Sequence, residues 1–177
     1  MSDEMSLGAE LAQLTSDVLE QSATAIEDLS LEQLHYRAGD DCNSIAFDAW
    51  HVARTADNLI HFAFAREMPV WLQQGLNEAW NLPKADQGTL MSPEEAHALR
   101  FPEADKLAKY CRDVKDAVVP KIAAMSDEYL SGTIFIKPQG EMRRVRIIGQ
   151  VIVMHGGGHN GMINTQRTVL GVGGIGI

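Results

Sequence analysis

The sequence predicts an all-α fold, a four-helix bundle, and three observations carry that prediction. Four long stretches repeat apolar residues at three- and four-residue steps, the spacing that lines one face of a helix. Residues that cap or break helices stand at their ends, among them Ser44, Pro69 and the Ser92-Pro93 pair. One connection is far longer than the rest, as in bundles with a single long crossover.

The first helix is expected over Ser6–Asp28, with Leu7, Leu11, Leu14, Val18, Ala25 and Leu29 marking a bundle seam. A connector broken by Gly39, Asp40 and Asp41 follows. The second helix begins at Asn43 or Ser44, either of which can cap it, and stops before Pro69. Apolar residues lie on nearly every face, so burial is expected throughout. One polar stripe interrupts them: Asp48, His51, Arg54, Thr55 and Asn58. His61 is rotated off that stripe, and His35 and His97 fall in connecting segments. All three are expected to serve packing or surface.

Residues 67–100 form the long connection. Trp71 and Trp80 argue that it is ordered. Ser92-Pro93-Glu94-Glu95 is a helix start, with a capping serine, a proline at the first position and a glutamate at the third. The short helix it opens, through Leu99, is placed to cover the mouth of a site. The third long helix spans Pro102–Met125, and Pro120 inside it predicts a kink or an early stop. Thr133–Ile136 and Met142–Val145 flank Lys137-Pro138-Gln139-Gly140, a small hairpin. Arg143, Arg144 and Arg146 read as a solvated basic patch or as a lure drawing anions toward a site. The fourth helix runs over Ile147–Arg167, and Gly171–Ile177 reads as a frayed tail. No repeat or internal boundary divides the sequence, so residues 1–177 read as one domain.

A formal net charge of −9 and a pI near 5.0 argue against nucleic acid or an anionic membrane as the main partner and leave a small-molecule substrate. The acidic start lacks the basic and apolar regions of a signal peptide, and no apolar run of membrane-spanning length occurs. Cys42 and Cys111 fit neither a zinc spacing nor a disulfide framework, which favours the cytoplasm.

The fourth helix carries His155 and His159, four residues apart and therefore on one face. Ile148 and Ile152 precede them on the same stripe, so both rings are expected to face inward. Two imidazoles on adjacent turns can hold one metal ion. Two buried histidines bonded to carbonyls would have the same spacing, and spacing alone does not choose. Between them stand Gly156, Gly157 and Gly158, each costing about 1 kcal/mol against alanine in a helix interior. Such a run implies that something approaches the backbone closely, either a neighbouring helix or a ligand.

Asn43-Ser44-Ile45-Ala46, then Trp50-His51 and Asp57, resembles the second helix of the DinB-like superfamily. His155-x-x-x-His159-x-Gly161, ending at Leu170-Gly171, resembles its fourth helix, and Ser126-Asp127-Glu128 with Leu130 resembles the entry to its last connector. Together these cover about residues 6–171. The superfamily takes its name from DNA-damage-induced founders. It includes thiol-dependent transferases and the mycothiol-dependent maleylpyruvate isomerase. The resemblance implies an up-down-down-up bundle, often dimeric, with a divalent metal, zinc or nickel, on three histidines. Carried over position by position, these are His51, His155 and His159. The three glycines depart from the family pattern and are expected to open space beside the metal.

Under that reading a low-molecular-weight thiol would bind the metal as thiolate and attack an electrophile. Arg54 would pair with a substrate carboxylate and Asp48 would orient His51. Hydrolysis by metal-activated water is the runner-up, weakened because HGGGH lacks the glutamate of the zincin motif. A non-catalytic, metal-stabilised binding protein is the third possibility, and a bundle with no metal the fourth.

Overall fold

The computed structural model describes residues 5–176. The first long helix, Leu7–Thr24, is capped by the Ser6 hydroxyl, which accepts from the Ala9 amide. Leu11, Val18, Ala25 and Leu29 of the expected seam are buried, but Leu7 and Leu14 face outward. The second begins at Ile45 under a Ser44 cap, and every residue from Ile45 to Asp57 is buried. It then winds as a π-helix over Asn58–Ala65 and stops at Arg66 in the left-handed conformation. The third, Ala104–Ala123, continues past Pro120, so the early stop expected there does not occur. Pro120 and Asp116, four residues before it, are both exposed. Water can therefore satisfy the carbonyl that loses its partner. The fourth combines a π-helical stretch, Ile147–Met154, with an α-helix, His155–Val169.

Contacts between the helices fix their directions. Gly8 approaches the backbone of Ile122 and Met125, so the first and third helices are antiparallel. Ser22 bonds Asn160 at 2.7 Å, and Arg167 grips Asp28 with both terminal nitrogens, so the first and fourth run together. Gln166 meets the Asn43 carbonyl and His159 meets Asp48, so the second opposes the fourth. The result is the up-down-down-up bundle.

Asp57 anchors the crossover between the second and third helices. Its buried carboxylate accepts from the Val70 and Trp71 amides, both at 2.9 Å, from Tyr110 Oη at 3.0 Å and from His61 Nδ1 at 2.8 Å. A buried carboxylate is tolerated only when so satisfied. Beyond this anchor come short helices at Val70–Gln73, Leu76–Ala79 and Pro93–Ala98, the last with the expected capping box. The hairpin is also present: β1, Thr133–Ile136, pairs antiparallel with β2, Gly140–Arg143. Arg144 is no free basic lure, since its guanidinium lies 4.2 Å over the Tyr129 ring. The described part of the tail packs back, with Asn164 Oδ1 accepting from the Ile175 amide.

A candidate metal centre

Two of the three histidines are held by one ring nitrogen. His51, in the middle of the buried second helix, directs Nδ1 to the Gln87 carbonyl at 2.5 Å, and its ring stacks on Phe47. His159 directs Nδ1 to Asp48 Oδ1 at 3.0 Å. The His155 ring lies against the backbone of Val151, one turn earlier. Carbonyls and carboxylates only accept, so these two bonds take the Nδ1–H of His51 and of His159, and in the neutral ring the other nitrogen is a lone pair.

The three rings converge. His155 Nε2 and His159 Nε2 lie 3.1 Å apart, and ligand atoms of all three rings fall within 4.8 Å of one another. Metal–nitrogen bonds of about 2.0–2.1 Å in a tetrahedron place neighbouring nitrogens about 3.3 Å apart. The His155–His159 spacing therefore matches two ligands on one ion, while the 4.8 Å spread over all three rings exceeds the tetrahedral value by about 1.5 Å. Electrostatics agree. Burial holds His51 neutral, pushing its pKa from 6.5 down to about 4, with the Gln87 carbonyl opposing and the other two rings reinforcing. His155 is lowered by burial and then by His159.

The cluster opens into a cavity of about 450 Å³ walled by Phe47, Thr55, Leu59, Ile136 and Val151. The hairpin closes one side and residues 87–90 another. The helix at Pro93–Ala98, expected to cover the site, is not among the walls. Gly88 sits at φ +91°, and a Cβ there would stand 2.6 Å from the Phe47 ring, so only glycine lets this segment cross the aromatic wall.

A model of the DinB superfamily matches residues 14–163. The chain belongs to the DinB superfamily. Among solved structures, this DinB chain is similar to a conserved protein from Enterococcus faecalis, with a TM-score of 0.80 and 21% identity over 95% of this chain and 99% of that one. Identity that low carries the fold alone. A search of curated proteins gave no match.

Within this DinB chain, several residues take roles other than those expected. Asp48 orients His159, not His51, because it faces the fourth helix and is held there by Asn43 at 3.0 Å. Arg54 turns away from the cavity. It lies fully buried over Trp71, bonds Asn58 at 3.0 Å and reaches the carbonyls of Ala85 and Asp86 at 3.5 and 3.3 Å. It thus fastens the segment whose next carbonyl, that of Gln87, holds His51. None of the three glycines lines the cavity. A Cβ on Gly156 would meet Val18 at 2.7 Å and Val52 at 3.3 Å, whereas Gly157 and Gly158 face open space. His35 and His97 are half-buried clasps: His35 Nε2 accepts from the Phe101 amide, and His97 bonds the Cys42 carbonyl and Arg37. His61 is a core residue on Asp57.

Two residues were missed as functional. Gln87 acts through its backbone carbonyl, which no side-chain pattern announces. Thr55 lines the cavity with a buried hydroxyl that lacks a hydrogen-bond partner among the described residues. The signal for it was available, since it stands at i+4 from His51 on the polar stripe. Cys111 is not a nucleophile, because burial pushes its thiol up to about 12.

Proposed function

We propose that the chain binds one divalent ion, zinc or nickel, through His51, His155 and His159, and uses it in transferring a low-molecular-weight thiol to an electrophile or isomerising a substrate through a thiol adduct. The convergence of three imidazole rings supports the metal. An ion on three neutral ligands keeps its full charge and an open position, and there it supplies the Lewis acidity that ionises a thiol.

The chain's own residues do the rest. Asp48 and the Gln87 carbonyl hold two of the rings in the tautomer that presents a lone pair inward. Phe47, Leu59 and Ile136 give the cavity an apolar wall, and the Thr55 hydroxyl offers a directed hydrogen bond to what enters. No carboxylate lines the cavity among the described residues, which disfavours water activation by a neighbouring base. Among the described residues no helix is long and apolar enough to cross a membrane. With two unpaired cysteines, this fits the cytoplasmic location we propose.

The test is a panel of bacterial thiols with a generic electrophile, comparing metal-loaded protein with His155→Ala. Turnover that needs both metal and His155 is expected. Equal turnover in the variant, or no thiol binding to the loaded form, would leave a non-catalytic metal-binding bundle.

A further inference from the structure

A second cavity, of about 540 Å³, adjoins the first. The two share Leu59, Gln87, Thr89, Ile136 and Lys137, which form the wall common to the histidine pocket and the second chamber. Its walls are mainly apolar, and two of them are aromatic rings left largely in water: Phe62 is 62% exposed and Phe135 66%. Isolated exposed apolar residues are ordinary, but two phenylalanines lining one chamber form a surface that stacking would cover.

The charge there is opposite to that of the chain. The sequence carries 24 acidic and 15 basic residues, yet this chamber is lined by Arg66, Lys84 and Lys137 against Asp86 alone. Among the described residues none of those three cations forms a salt bridge or a side-chain hydrogen bond. Lys109, Lys106 and Lys121 by contrast pair with Asp113, Glu103 and Glu67, although Arg143 and Arg146 on the far side of the hairpin turn also lack an acidic partner among the described residues.

We infer that the two cavities are compartments of one binding site, and that the second takes the apolar, anionic end of the molecule whose reactive end lies at the histidines. The ligand class is an aryl or alkyl carboxylate, its body against Phe62 and Phe135 and its carboxylate among Arg66, Lys84 and Lys137. This rests on the histidine pocket being the reactive site, but the compartment itself is testable without a metal.

The experiment titrates phenylbutyrate and its neutral amide into the full-length chain, metal-free and zinc-loaded, by calorimetry and by NMR of labelled phenylalanine and histidine. The acid should bind more tightly than the amide in both forms and move the Phe62 and Phe135 resonances. Arg66→Gln with Lys84→Gln, both at exposed positions, should weaken the acid about fivefold and leave the amide unchanged. Lengthening the chain to phenyloctanoate should carry its aryl end past the shared wall and shift His51 and His155 as well. Equal binding of acid and amide, no binding, or an unaffected double variant overturns the compartment. A long acid that leaves the histidines unmoved overturns the shared site. If the chain takes up no metal but still prefers the acid, the metal reading fails while the compartment stands.

Discussion

Three consecutive glycines in one helix should respond differently to the same substitution. The Cβ of Gly156→Ala would lie 2.7 Å from Val18 Cγ1 and 3.3 Å from Val52 Cγ1. Carbon atoms prefer about 3.5–4.0 Å, and a β-branched side chain has no free rotamer into which to retreat. The fourth helix would have to move off the first and second, at an overpacking cost of about 1–3 kcal/mol. Alanine returns about 1 kcal/mol of helix propensity, so the net effect should be a loss of up to about 2 kcal/mol. At Gly157 and Gly158 a Cβ meets nothing within 4 Å, and the same substitution should stabilise by about 0.5–1 kcal/mol each. Urea unfolding of chelated protein measures this without a contribution from metal binding. Trimming the neighbour with Val18→Ala in the Gly156→Ala background should restore part of the loss. If Gly156→Ala is as stable as Gly158→Ala, close helix packing is not the reason for the first glycine.

Asp48→Asn removes the charged acceptor of His159 while keeping the shape, and should weaken metal binding about 10–100-fold in competition with a chromophoric chelator. Metal-free protein should lose stability in acid. The folded chain holds His51 neutral down to about pH 4, the unfolded chain protonates it near 6.5, and protons therefore favour the unfolded state between those values. This contribution is fully present above pH 6.5 and falls by up to about 3 kcal/mol toward pH 4, read from urea midpoints across that range. Alanine at His35, His61 or His97 should leave metal content unchanged, because each ring is engaged away from the cluster. Loss of metal from any of them would refute the assignment.

The parts of this fold set by local chemistry were legible. Ser44 and the Ser92–Glu95 box cap helices where the pattern places them, and the four long helices follow their apolar spacing. The i,i+4 pair on the fourth helix and His51 on the second are brought together as their positions suggested. What escaped depends on tertiary contact. The π-helical turns at Asn58–Ala65 and Ile147–Met154 have no distinct residue signature, and they change the angle at which later residues emerge. His155, directly after the second of them, is the one exposed residue of the three. Arg54 shares the stripe of His51, but its direction is set by carbonyls some thirty positions away in the crossover. The exposed setting of Pro120 decided whether it would break a helix, and its identity alone did not show that. The aromatic chamber beside the site joins the second helix, the crossover and the hairpin, which no single stretch of sequence displays.

The metal-to-protein ratio of the purified chain, measured by elemental mass spectrometry beside the His51→Ala, His155→Ala and His159→Ala variants, tests the central claim most directly. One divalent ion per chain is predicted, falling in each variant as one of three ligands is lost. A ratio near zero in the native chain after growth and purification with zinc and nickel present, or an equal ratio in all three variants, would contradict it.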